Sequence, residues 1–156
     1  MTVVTQRNPG WLKALVKRYR DAGRDRLALG FPANSEGAGR RYPDGTPLLL
    51  VAAANQFGTP TIPQRDYFTP GAVAAVKDTA EIREAGVQAI NAGKAKPAEV
   101  LEAMGPFAEA ALKRTIADFT NPPNAPSTIA KKGDDNPLED TGMMRNAVTY
   151  SVRPKS

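Results

Sequence analysis

Apolar and polar positions alternate with helical spacing first at the start of the chain. Leu12, Leu15, Val16 and Tyr19 recur at i, i+3, i+4 and i+7 and mark one face of a helix. Asn8-Pro9 reads as its cap and first turn, Lys13, Lys17, Arg18 and Arg20 take its other sides, and Gly23 ends it. Residues 26–31 then change period. Leu27, Leu29 and Phe31 alternate as in a strand, which Gly30 and Pro32 close. Residues 33–41 are rich in Gly, Ser and Asn, and Tyr42-Pro-Asp-Gly45 is a turn, so 33–45 reads as a mobile loop. Residues 46–57 predict a short, largely buried helix ending at Gly58, with a strand as the competing reading for 48–51.

Prolines 60, 63 and 70 keep residues 59–69 extended. Residues 70–91 have helical composition, with Val73, Val76, Ala80, Val87 and Ile90 on one face and Gly86 weakening it. Pro97 restarts a helix. Val100, Leu101, Met104, Ala108, Ala111, Leu112, Thr115, Ile116 and Phe119 form the cleanest amphipathic stripe in the chain, and Gly105-Pro106 in its middle predicts a bend. Residues 121–136 form a Pro/Asn-rich extended arm with one helical turn at 127–132. A short capped helix at 141–147 and a strand at 148–153 finish the pattern, with Leu138 and Met144 in the core.

Composition narrows the chemistry. The 156 residues fit one domain able to bury its own core. There is no cysteine and no histidine. This excludes disulfides, thiolate nucleophiles, Cys-ligated metals and the commonest general acid/base near neutral pH. No apolar run reaches the length of a membrane span, and the first residues lack the apolar core of a secretory signal, so the protein is expected to be soluble and cytosolic when made. Clustered acids at Asp134-Asp135 and Glu139-Asp140 lack the spacing of a calcium loop and are read as solvated loop. No phosphate-cradling loop or catalytic constellation is present, so neither an enzyme nor a cofactor or metal is expected.

The net charge of +5 is unevenly placed: residues 1–26 hold seven basic and two acidic groups, and the remainder is balanced. Lys13, Lys17, Arg20 and Arg24 lie along one helical side and could face DNA or an acidic protein surface. A DNA-binding protein using this helix is therefore the alternative function, though no helix-turn-helix or zinc pattern accompanies it.

Three blocks carry a family resemblance. Asn55 through Phe68 reads N-Q-F-G-T-P-T-I-P-Q-R-D-Y-F and resembles the N-E-F-G-T…I-P-A-R-P-F-F block of small neck and tail-completion proteins of tailed bacteriophages. Pro122 through Gly133 resembles their P-P-N-S-x-x-T-I-x-x-K-G block, and Asn136 through Tyr150 resembles x-P-L-I-D-T-G-x-L-R-x-S-I-x-Y. Departures are Gln56 for an acid, Asp66 for proline, Glu139 for an apolar residue and Ala147 for serine. The resemblance implies an α+β fold, a small antiparallel sheet packed on two or more long helices. It implies a structural virion protein, without cofactor, that forms a ring at the neck or head-proximal tail end through which DNA passes. The expected partners are copies of itself, a hexamer favoured over a dodecamer, and other neck, connector or tail-tube proteins.

The contacts expected within that ring or to those partners are Phe57, Arg65, Phe68, Pro122, Pro123, Asn124, Lys131 and Arg145. Arg65, on a stiff segment, is either half of a bidentate pair with a carboxylate or an ordinary surface arginine. The arm at 121–136 would lie on a neighbouring subunit.

Overall fold

A computed structural model describes residues 10–33, 35–133, 135–138 and 141–154; the side chains of Lys131 and Lys132 fall outside that description. The elements in chain order are α1 (Trp11–Ala22), β1 (Asp25–Gly30), a 3-10 turn (Glu36–Gly39), α2 (Leu48–Phe57), α3 (Phe68–Asp78), α4 (Ala80–Asn91), α5 (Pro97–Ala117), α6 (Pro126–Lys132), α7 (Met143–Ala147) and β2 (Thr149–Pro154). The fold is α+β. Its two strands come from opposite ends of the chain and pair antiparallel, with Leu27 opposite Val152 and Leu29 opposite Tyr150.

The long helix α5 is the spine. Its stripe is buried at Gly105, Ala108, Ala111, Leu112 and Ile116, as the spacing predicts. It runs unbroken through Pro106. The sheet lies on it where Gly105 has no side chain: a Cβ there would enter the Tyr150 ring. Beside it α3 packs through Gly71, against Leu112, and through Ala75, which clusters with Ala108 and Ala111. Ala52, Tyr67, Leu112, Ile116, Leu138, Met144 and Val148 form the main core, burying the two residues that the sequence placed there, Leu138 and Met144.

Four expectations change. Residues 70–91 are two helices and not one. α3 ends where Thr79 leaves the helical backbone conformation (φ −97°, ψ 3°), and α4 begins at Ala80; the buried Thr79 hydroxyl donates to the Ala75 carbonyl (2.7 Å). The valines of this stretch also face the wrong way for a simple core stripe. Val73, Val76 and Val87 are exposed, and Gly71, Ala75 and Gly86 are buried. Small residues let helix backbones approach closely, so here they mark the contact better than the large ones do. Gly86, for example, lies against Val100 of α5.

The loop at 33–45 is tied down at several points. Tyr42 N–H donates to the Thr46 carbonyl (2.9 Å), Arg41 bridges Pro47, and Gly37 is buried against Ala147. The arm at 121–136, by contrast, follows its expected plan: it is extended to Ala125, and the helical turn expected at 127–132 is α6, which ends at Gly133 in the left-handed conformation. Finally, α1 buries none of its residues. Its predicted Asn8-Pro9 start lies outside the described residues. Arg18 Nη1 donates to the Asn91 carbonyl (2.8 Å) and anchors α1 near the end of α4. Leu12, Val16 and Tyr19 stay 54%, 48% and 62% exposed.

Candidate functional site

The prolines of residues 59–67 forbid helix, and Gly58, at φ 75°, turns the chain back along α2. On this return Arg65 is buried, with 7% of its surface exposed. Its amide donates to the Asn55 carbonyl (2.7 Å) and its Nη1 to Asn55 Oδ1 (2.8 Å). The rest of the guanidinium holds the arm: Nε donates to the Pro122 carbonyl (3.2 Å), and Nη2 to the Pro123 carbonyl (3.1 Å) and Asn124 Oδ1 (3.2 Å).

Asn124 is buried too and donates to the Asn136 carbonyl (3.3 Å), while Asn136 Nδ2 donates to the Ala117 carbonyl at the end of α5 (2.6 Å). One arginine therefore joins α2, the Pro-rich return and the arm, and through Asn124 reaches the segment before α7. Proline explains the choice of acceptors. It has no N–H of its own, and its carbonyl is free to accept.

Neither expectation for Arg65 holds. It is not a surface residue, and its four partners are neutral oxygens of its own chain instead of a carboxylate. Burial lowers its pKa, but a guanidinium stays protonated at any ordinary pH, so a full positive charge sits in this joint. Charge-assisted bonds offset that desolvation, each contributing roughly 1.5–3 kcal/mol.

Beside the joint, Gln56 Nε2 donates to Asp66 Oδ1 (2.7 Å) and Gln56 Oε1 accepts from the Phe68 amide (3.1 Å). Asp66 also caps the start of α3 through the Thr69 amide (3.0 Å). The Gln56 bond, and then Thr69, hold the Asp66 carboxyl below its ordinary pKa.

Tyr67 donates to the Ala52 carbonyl (3.2 Å) from within the core. Burial, with a smaller contribution from Tyr42, pushes its phenol from 10.0 up to about 12. The raised value gives a signed pH dependence. Below pH 10 both states keep the proton, and the phenol adds no slope. Between about 10 and 12 the unfolded chain releases it first, so native stability falls, by at most roughly 3 kcal/mol. Tyr67→Phe removes this slope. Urea midpoints taken across pH 10–12 are expected to fall more steeply for the parent protein than for the variant; parallel curves would contradict the assignment.

The other expected contacts lie elsewhere. Phe57, 74% exposed, and Phe68, partly exposed, flank an open apolar groove of about 420 Å3 over Leu29, Leu49 and Ala53. A second groove of about 290 Å3 shares Leu29 and Phe68 and continues along α3 past Ala72 and Val76. Among the described residues no charged side chain lines either groove. Arg145 is half-buried on α7, and the side chain of Lys131 lies outside the described residues. Lys13, Lys17, Arg20 and Arg24 are all exposed on or just after α1, where Asp21 pairs with Lys17 (2.7 Å) and Arg24 (3.6 Å).

A cleft of about 450 Å3 beside the joint, walled by Ile62, Pro63, Ala125 and Thr128, has no carboxylate among the described residues of its lining. Among the described residues no group of His, Cys, Asp or Glu could hold a metal ion, and no helix is long and apolar enough to cross a membrane. Asp134, Glu139 and Asp140 lie outside the described residues. The Thr141 hydroxyl accepts from the Met143 amide (3.4 Å) at the start of α7.

Sequence reasoning missed Asn55, Gln56, Tyr67 and Asn136. All four are ordinary polar or aromatic residues in sequence. Only their proximity to Arg65 and α2 gives them a role. The chain matches no protein-family model, no curated protein and no solved structure.

Proposed function

We propose that this chain is a non-enzymatic structural protein of a tailed-phage particle, a subunit of a ring at the neck or the head-proximal end of the tail. The observation that carries the reading is the convergence of the three resembling blocks. They lie far apart in sequence, yet Asn55 and Arg65 of the first hold Pro122, Pro123 and Asn124 of the second, and Asn124 holds Asn136 of the third. A chance likeness of three short strings gives no reason for them to share one buried hydrogen-bonded joint.

The departures from the pattern support it as well. Gln56 and Asp66 depart together, and they bond to each other. An acid at position 56 would face the Asp66 carboxylate, and like charges at that range repel. With Gln56 the pair is neutral plus acid, and both side chains are satisfied. Ala147, in place of serine, puts its methyl against Gly37.

The particle is the place to test this. Mass spectrometry of purified virions of the encoding phage should detect the chain at a few copies per particle, and reconstruction should place it between portal and tail tube. Its absence from mature virions would sink the reading.

A further inference from the structure

We propose that the apolar stripe of α1 docks into the groove along β1, α2 and α3 of a second copy of this chain, a head-to-tail contact. It deepens the ring reading and rests on that reading only for its repetition around an axis. The single contact stands on two surfaces of the molecule.

The first surface is α1. Amphipathic helices stabilise domains by burying their apolar face. Here the helix touches its own body along an edge with Leu15 and Arg18, and Leu12, Val16 and Tyr19 face outward. The second surface is the pair of grooves that share Leu29 and Phe68, bordered by Leu49, Phe57 and Val76.

No α1 residue lines either groove in its own chain. The short link Gly23-Arg24 and the bond from Arg18 to the Asn91 carbonyl hold α1 beside the end of α4. One chain thus carries a ridge and a groove that do not meet each other, and two different patches of this kind make a heterologous contact that can propagate from copy to copy.

Area and charge choose this occupant. At roughly 150–200 Å2 for a fully exposed large side chain, the exposed parts of Trp11, Leu12, Val16 and Tyr19 with those of Leu49, Phe57, Phe68 and Val76 come to roughly 700 Å2 of apolar surface. With the ordinary polar share of an interface added, the contact reaches about 1,200 Å2, the lower end of the range for specific interfaces. With the stripe seated, helical spacing puts Lys13 and Arg20 on the flank of the contact. The groove lining offers them no opposing cation, and Asp66 sits at its rim, bonded to the lining residue Gln56.

The absence of native cysteine makes the test clean. Val16→Cys and Val76→Cys are made separately, and the two purified full-length proteins are oxidised alone and mixed. Both positions are exposed, so neither change endangers the fold. The expected result is a disulfide-linked V16C–V76C dimer in the mixture, in excess of either homodimer. Val16→Asp should shift sedimentation of the parent protein from oligomer to monomer with an unchanged circular dichroism spectrum.

V16C homodimers alone would mean α1 pairs with α1 and would overturn the proposal. So would a parent protein that sediments as a monomer at its highest soluble concentration, or one that stays monomeric and binds anionic phospholipid vesicles through α1. A chain found in virions without this cross-link keeps the virion reading and loses the contact; a cross-link without virion incorporation does the reverse.

Discussion

Arg65→Ala is expected to lower unfolding free energy by about 4 kcal/mol, a large part of the total for a domain of this size. The size follows from what is left behind. Asn55 Oδ1, the carbonyls of Pro122 and Pro123, and Asn124 Oδ1 all lose their donor, and two of these belong to side chains that are themselves buried. Arg65→Lys keeps the charge but presents three donors from one point in place of a planar fork, so it should recover only part, with a loss of about 2 kcal/mol. Urea denaturation gives both numbers. Limited proteolysis supplies the local readout: cleavage between residues 121 and 133 should rise in both variants, and more in Arg65→Ala. A loss under about 1 kcal/mol in Arg65→Ala would show that the arm is held by something else.

Gly37→Ala should cost about 2–3 kcal/mol, the price of overpacking where backbone is the obstacle. A Cβ on Gly37 would stand 2.5 Å from the Ala147 carbonyl oxygen, 2.8 Å from its Cβ and 2.9 Å from its Cα. Backbone cannot rotate aside, so either the 3-10 turn or α7 must move, and α7 carries Met144 of the core. Alanine also stiffens the unfolded chain, which returns only about 0.4–1 kcal/mol. The control is close by. Gly39 has nothing within 4 Å of its would-be Cβ, so Gly39→Ala should be neutral or slightly stabilising. Equal thermal midpoints for the two variants would refute the packing argument.

These two sites show how far the sequence could be read. The spine helix was legible because its stripe buries large and small residues with one period, from Gly105 to Ile116. The strands were legible from alternation, within a residue at each end. Where contact depends on a missing side chain, periodicity pointed outward. Val73 and Val76 outweigh Gly71 and Ala75 on any hydrophobic scale, yet the glycine and alanine make the joint with α5. The break at Thr79 is a change of backbone angles at one residue, and it leaves no mark in a periodicity that Val73 to Ile90 share.

The joint was half legible. Arg65, Pro122, Pro123 and Asn124 were all singled out, but as contacts to neighbours. Sequence gives residue types and spacing along the chain. It does not give the 57-residue loop closure that brings Arg65 onto the Pro122 carbonyl, so a stiff, proline-flanked segment reads as an arm reaching outward. For α1 the pattern was right about the helix and silent about its surroundings. An apolar stripe calls for a cover, and among the described residues Leu12, Val16 and Tyr19 stay exposed.

The arginine joint also has a kinetic consequence. An arm that stays loose until a neighbour arrives must be ordered during the encounter, and that ordering weakens the complex. Here residues 122–124 are already clasped by their own chain. Their conformational entropy is lost during folding, before any copy meets another. In the proposed ring, assembly would then proceed as the collision of preshaped bodies, at a rate set by diffusion and orientation.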